Sequence, residues 1–173
     1  MRSLIVYSSR TGNTRKVAET IFDIWPDPKE IHPVETAPSP EEFDFIALGF
    51  WVNEGDADEK ARAYMNRISG KKIALFGTLG DYPASEHARD TLERVKSQLT
   101  ENEILGGFMC QGRVDPNIAD KMDAIAPEPA PGGPQQRNRI AEAEHHPDEK
   151  DLANARTAFS AILRKLRNTA QDW

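Results

Sequence analysis

The run Ser8-Ser9-Arg10-Thr11-Gly12-Asn13-Thr14 sets hydroxyls, a carboxamide and one glycine on consecutive positions. It follows a short apolar run and precedes a segment whose apolar residues return every three to four positions. Hydroxyls at Ser9, Thr11 and Thr14, backbone amides freed by Gly12, and the positive end of a helix starting at Asn13 can converge on one anion. A terminal phosphate monoester fits that donor set best. The Lys-Ser/Thr ending of a P-loop is missing, which argues against a nucleoside triphosphate with magnesium, and so is the GxGxxG spacing of a dinucleotide site. The plainer alternative is a Ser/Thr-rich helix cap. The hydroxyls together with Gly12 and Asn13, placed behind a buried strand, favour the phosphate.

Two further segments follow apolar runs: Gly49-Phe50-Trp51-Val52-Asn53-Glu54-Gly55 and Gly77-Thr78-Leu79-Gly80-Asp81-Tyr82-Pro83. Trp51 and Tyr82 are planar groups expected on loops, where stacking on a flat heterocycle is worth about 1–3 kcal/mol per contact. Taken singly, Trp51 is equally a packed loop anchor and Tyr82 a surface residue. The acids Glu54, Asp56, Asp58 and Glu59 suit either a helix amino terminus or an electrostatic influence on a bound group.

Other constellations carry less. His145-His146 with Asp148 and Glu149 suggests a metal only weakly, because adjacent histidines do not share a helical face, and no metal site is expected. Cys110 lies in an apolar run and is expected to be buried and inert. Ser9 and Ser85 lack a GxSxG elbow and His87 is isolated, so no catalytic residue is assigned.

These positions need a scaffold. Strands are expected at Ser3–Ser8, Glu30–Glu35, Phe43–Gly49, Lys72–Gly77 and Ile104–Gln111, alternating with amphipathic helices near Asn13–Asp23, Asp58–Ile68 and Ser85–Leu99. Leu4 to Tyr7, Phe45 to Leu48 and Ile73 to Phe76 are apolar on successive positions, as in strands covered on both faces. Glu30 to Glu35 alternates and contains Pro33, which marks an edge strand. Right-handed crossovers then give a doubly wound, five-stranded parallel sheet of order 2-1-3-4-5 in a three-layer α/β/α arrangement. Asp115–Ala126 is expected to be helical and Pro127–Pro134 irregular. Gln135–His146 is expected as an exposed loop or helix available as a lid or docking segment. A last helix starts near Pro147-Asp148, with Leu152, Ala155, Phe159, Ile162, Leu163 and Leu166 as its apolar stripe. Residues 1–173 read as a single domain with a Pro/Gly-rich excursion at about 115–147.

Composition narrows the partners. With 22 basic and 28 acidic residues the net charge is −6, so no broad positive field condenses on nucleic acid. One cysteine excludes an internal disulfide, and the four apolar residues Leu4 to Tyr7 are too short for a signal or a membrane span. A reduced, cytoplasmic protein without membrane insertion is expected.

The run Leu4-Ile5-Val6-Tyr7-Ser8-Ser9-Arg10-Thr11-Gly12-Asn13-Thr14 resembles the signature of the flavodoxin family, and flavodoxin itself is a standard example of the strand order above. The resemblance implies that this loop binds the phosphate of FMN. Ser9, Thr11, Asn13 and Thr14 match the family's ligands, and Arg10 stands where the family has a neutral residue. It also implies that the loops around Phe50, Trp51, Val52 and Asn53 and from Gly77 to Tyr82 flank the isoalloxazine, with Thr78, Leu79, Gly80 and Asp81 offering backbone groups to its pyrimidine side. The third loop, GTLGDYP, departs from the family's usual Gly-Asp-Ser wording, which weakens the stacking role of Tyr82. GFWVNEGDAD, FGTLGDYPASEHA, CQGRVDP and HPDEKDL look like a subgroup with a member associated with bacterial bilirubin reductase. The expected function is FMN-dependent electron transfer to or from a redox partner protein. The alternatives are an FMN-dependent NAD(P)H:quinone-type oxidoreductase and a flavin-free interaction subunit of a reductase.

Overall fold

The computed structural model describes residues 1–117 and 133–169. Its frame is a parallel sheet built from β1 (Ser3–Tyr7), β2 (Lys29–Pro33), β3 (Phe45–Asn53), β5 (Lys72–Leu79) and β6 (Glu103–Gln111), in the spatial order β2-β1-β3-β5-β6. Counted on the parallel strands alone, this is the expected 2-1-3-4-5 arrangement. A two-residue strand, β4 (Asp56–Ala57), turns back antiparallel on the end of β3. The helices are α1 (Asn13–Ile24), α2 (Glu59–Met65), α3 (Glu86–Ser97), α4 (Gly133–Ala143) and α5 (Glu149–Thr169).

The contiguous apolar strands divide their side chains by the two-residue period of the pleat. Leu4, Val6, Ile46, Leu48, Ile73 and Leu75 point to one face, where Ala61, Tyr64 and Met65 of α2 and Val95 of α3 cover them. Ile5, Phe45, Ala47, Ala74 and Phe76 point to the other, under Val17 and Ile21 of α1 and Ala155, Phe159 and Ile162 of α5. Each fully buried large aliphatic or aromatic side chain contributes roughly 1.5–3 kcal/mol relative to exposure. On the α1/α5 face Trp25 stacks on Phe45 at 4.6 Å, and Phe159 meets Trp25 and Phe76 edge-on at 6.2 and 5.9 Å. The apolar stripe expected for the last helix is therefore the sheet-facing side of α5.

At the edge, β2 pairs only with β1, and Pro33 sits opposite Tyr7. A proline has no N–H to lose there on the unpaired side.

Several boundaries move. β3 runs past Gly49 to Asn53, because Glu54 (φ 50°) and Gly55 (φ 75°) form the left-handed pair of a tight hairpin that lays Asp56 and Ala57 against Asn53 and Val52. β5 runs through Leu79, since Thr78 pairs with both Trp51 and Cys110, and Leu79 with Gln111. Phe50, Trp51, Val52, Asn53, Thr78 and Leu79 are thus strand residues rather than loop residues. α2 begins one position after Asp58, whose carboxylate caps it by accepting from the Ala61 N–H at 3.2 Å. Part of the run expected to be irregular is helical. Gly133 and Pro134 open α4, where a first-turn proline sacrifices no helical hydrogen bond. Gln135 to Ala143 is the rest of that helix, and its last residue, Ala143, is fully buried. The expectations for Ile118–Ala126 and Pro127–Gly132 lie outside the described residues.

Candidate cofactor cleft

All parallel strands end on one side, and there a cleft of about 660 Å³ opens between the loops after β1, β3, β5 and β6. That is the position at which doubly wound sheets hold ligands, and the volume lies within the usual 300–1,000 Å³ for small-molecule sites. Arg10, Thr11 and Asn13 reach it from the first loop, and Trp51, Val52 and Asn53 from the end of β3. Thr78, Leu79, Gly80 and Asp81 reach it from β5.

The loop after β1 turns on Gly12, which adopts φ 88° as the residue capping α1. This is a conformation that glycine alone adopts without cost, and no atom lies within 4 Å of where a Cβ would stand. The loop therefore leaves open space beside Gly12, directly before the first turn of α1, whose N–H groups lack carbonyl partners within the helix. Side chains brace the turn from beneath. The Ser8 hydroxyl donates to Asp58 Oδ1 at 2.7 Å, and Thr14 and Thr78 share a buried hydroxyl–hydroxyl bond of 2.9 Å. Ser9 Oγ accepts from the Arg15 N–H at 3.3 Å. Asn13 Nδ2 donates to the Arg113 carbonyl at 2.8 Å, tying the loop to the segment that leaves β6.

Predicted site residues outside the cleft lining have legible structural duties. Besides Ser8, Ser9, Gly12 and Thr14 just described, Phe50 is fully buried in the core. Gly77 is where β5 crosses Phe50 and Met109, and a Cβ would stand 2.5 Å from Met109 Sδ and 2.8 Å from the Phe50 ring. Tyr82 is not among the residues that line the cleft. It is 41% exposed, and its hydroxyl donates to Glu142 Oε2 at 2.8 Å, which pushes the Tyr82 phenol up from its ordinary value.

Arg10 does not project freely. Its Nε donates to Asp115 Oδ2 at 2.7 Å and its guanidinium lies 5.5 Å from the centre of the Trp51 ring. The Asn117 N–H and then the Arg10 guanidinium hold the Asp115 carboxyl below its ordinary value. Of the acids after Trp51, Glu54 lines the cleft. Asp58 is 1% exposed and accepts from Ser8, the Trp51 N–H and the Ala61 N–H, so its work is structural. Asp56 accepts from the Ala57 N–H and from Gln98.

One wall of the cleft comes from α4. Arg139 and Ile140 face it, and Arg139 Nη1 donates to Asp81 Oδ1 at 2.8 Å. Burial pushes the Asp81 carboxyl up, but the Tyr82 N–H and the Arg139 guanidinium outweigh it and hold the group below its ordinary value. Gln111 Nε2 donates to the Gly80 carbonyl at 3.2 Å and reaches the Arg139 carbonyl at 3.4 Å, stitching α4 to both strand ends. The sequence places Arg139 in an exposed segment and His87 in isolation, yet both line the cleft, as do Gly112, Arg113, Val114 and Ile140, which carry no site expectation. Asp81 and Arg139 lie 58 positions apart, a separation no local pattern bridges. Gly112 did carry a signal, as a glycine directly after a strand.

Two further groups sit behind the cleft. Burial pushes the Cys110 thiol well up from its ordinary value. His146, Asp148 and Asp151 come within 4.8 Å of one another, a grouping the spacing did not reveal. They form the cap of α5: Asp148 and Asp151 exchange backbone-to-carboxylate bonds of 2.9 Å, and His146 Nδ1 lies 2.5 Å from Asp151 Oδ2. Among the described residues no helix is long and apolar enough to cross a membrane.

Known proteins share this frame. The profile of the Flavodoxin domain matches residues 4–160. The chain is 36% identical over 163 residues to the flavodoxin-like domain-containing protein BilS of Clostridioides difficile (strain CD3), covering 90% of this chain and 92% of that protein. Oxidised flavodoxin 1 from Bacillus cereus superposes with a TM-score of 0.62 at 16% identity, over 95% of this chain and 98% of that one. A flavoprotein from Lactobacillus acidophilus NCFM, solved in complex with FMN, gives 0.53 at 16% identity, over 69% and 97%. Matched along nearly all of its length, the chain belongs to the flavodoxin domain family.

Proposed function

We propose that this protein binds FMN without a covalent bond and passes electrons to or from a redox partner enzyme. The observation that carries the reading is that the open, glycine-turned loop at the start of α1 and the Trp51 side chain border the same cleft. A phosphate at the loop and a flat ring beside Trp51 are the two ends of a flavin mononucleotide, and the residues present fit both.

When bound, FMN supplies the electron-carrying chemistry, and the chain sets its surroundings. The first-turn amides of α1 take the phosphate, with the second N–H of the Asn13 carboxamide and the Thr11 hydroxyl once it turns from its long 3.5 Å bond to the Arg113 carbonyl. Trp51 offers a face for stacking once the guanidinium of Arg10 moves aside or stacks outside it. Backbone groups of Leu79, Gly80 and Asp81 serve the polar edge of the ring, and the carboxylates of Glu54 and Asp81 make an added electron costlier. Arg139 opposes them. No side chain is required to transfer a proton, so the reading assigns no general acid or base.

For the partner, the likeness of GFWVNEGDAD and GTLGDYP to the subgroup associated with bilirubin reductase, and the identity to BilS, support a reductase of that kind. The test is to add FMN to flavin-free protein and follow quenching of flavin fluorescence, then to mix the anaerobically reduced protein with the oxidised reductase. Stoichiometric quenching followed by rapid reoxidation is expected. Protein that leaves FMN fluorescence unchanged overturns the reading. Steady NAD(P)H oxidation by the isolated protein would replace the carrier with an enzyme.

A further inference from the structure

We infer that Arg113, on the segment leaving β6, supplies the charged ligand of the nucleotide's phosphate. This inference rests on the FMN reading above and adds to it a residue that the phosphate-loop motif does not contain.

The geometry starts from the backbone. The Arg113 carbonyl accepts from Asn13 Nδ2 at 2.8 Å and from the Thr11 hydroxyl at 3.5 Å, so Arg113 lies directly against the anion loop although 100 positions separate it from Asn13. Its N–H donates to the His146 carbonyl at 3.0 Å, which fixes the segment from the opposite side. The approach depends on Gly112: a Cβ there would stand 2.6 Å from Asn13 Nδ2 and 2.9 Å from its Cγ. The backbone is therefore pinned at both ends of one residue, and the side chain is what remains to reach into the cleft that Arg113 lines.

Charge accounting singles out the same residue. Arg10 is engaged by Asp115 at 2.7 Å, and Arg139 by Asp81 at 2.8 Å. Arg113 is exposed, and among the described residues its guanidinium has no carboxylate partner. A cation whose backbone is fixed beside the loop, and which no carboxylate engages among the described residues, is suited to a phosphate monoester dianion. The planar guanidinium can donate two parallel hydrogen bonds to phosphate oxygens, whereas an ammonium acts as a point charge. The amides of the loop set the shape of the phosphate site, and Arg113 matches its charge.

The experiment measures affinity for FMN and for riboflavin, which lacks the phosphate, in the wild-type protein and in Arg113→Gln, Arg113→Lys and Arg10→Gln. Arg113→Gln is expected to weaken FMN about 10- to 100-fold, the loss of a charge-assisted hydrogen bond, and to leave riboflavin within about twofold. Arg113→Lys should fall between, and Arg10→Gln should cost FMN less than Arg113→Gln. Added inorganic phosphate should compete with FMN more weakly in Arg113→Gln than in wild type. Because Arg113 is exposed, thermal unfolding should match wild type, and agreement between the Gln and Lys variants in melting confirms that affinity is being read in folded protein. Wild-type binding of FMN with Arg113→Gln equal to it overturns the inference and leaves the flavin reading standing, as does a parallel fall in FMN and riboflavin. A wild-type protein that binds neither flavin overturns both.

Discussion

Gly12 allows the phosphate site to be tested by charge alone. It adopts φ 88°, and a Cβ placed on it meets no atom within 4 Å, so any substitution adds backbone strain but no collision. For an ordinary L-residue that strain is about 1–2 kcal/mol, less for Asn and Asp, which tolerate the left-handed region. Gly12→Asn and Gly12→Asp therefore form a pair of nearly equal shape and backbone cost, differing by one negative charge. At an effective dielectric of about 20, unit charges 4 Å apart interact by about 4 kcal/mol, and a carboxylate about 8 Å from a phosphate dianion is repelled by a similar amount. The predicted difference is thus up to about a thousandfold in FMN affinity, reduced by salt at this exposed position. Riboflavin should bind the two variants alike. The assay is fluorescence titration at low and high ionic strength, with melting temperatures within a few degrees of each other. Equal FMN affinity in Gly12→Asn and Gly12→Asp would refute the placement of the phosphate above α1.

Further outcomes follow from packing and charge. Gly49→Ala places a methyl carbon 2.2 Å from the edge of the fully buried Phe76 ring, so the melting temperature should drop by the several degrees that about 1–3 kcal/mol of overpacking produces in a chain of this length. The Asp81–Arg139 pair is partly exposed, and a double-mutant cycle of Asp81→Asn with Arg139→Gln should return at most about 1 kcal/mol of coupling. Its pH dependence has a definite sign. Asp81 is held below its ordinary value, so its contribution to stability is present above the carboxylate range and lost as pH falls through the lowered value; Arg139→Gln should narrow that acid-side margin in pH-dependent melting. Cys110 is 1% exposed and its thiol is pushed up by burial, so thiol reagents should leave it unlabelled in native protein at mildly alkaline pH and label it after denaturation.

What was legible in the sequence was whatever depends on neighbours along the chain. The apolar runs Leu4–Tyr7, Phe45–Leu48 and Ile73–Phe76 require burial on both faces, which selects a parallel, doubly covered sheet, and right-handed crossovers between five strands supply its order. Pro33 marked the edge, and Gly12 marked the turn before α1. The length of β3 was misread because Glu54-Gly55 is an unusual dipeptide for a hairpin, glycine supplying only one of the two left-handed positions and a glutamate the other. Tyr82 illustrates a second limit: its place on a loop was legible, but its direction depends on Glu142, sixty positions away in a segment with no apolar signal. Arg113 and Arg139 escaped for the same reason. Their meaning lies in contacts with Asn13 and Asp81 that only the folded chain creates.

The proposed site places the terminal phosphate of a flavin nucleotide at the glycine-turned loop after β1. A crystal structure of the protein grown with FMN tests it most directly. Density for the phosphate is expected within hydrogen-bonding distance of the first-turn amides of α1 and of Thr11, with the ring beside Trp51. FMN bound elsewhere, or a loop left empty beside an ordered flavin, would contradict it.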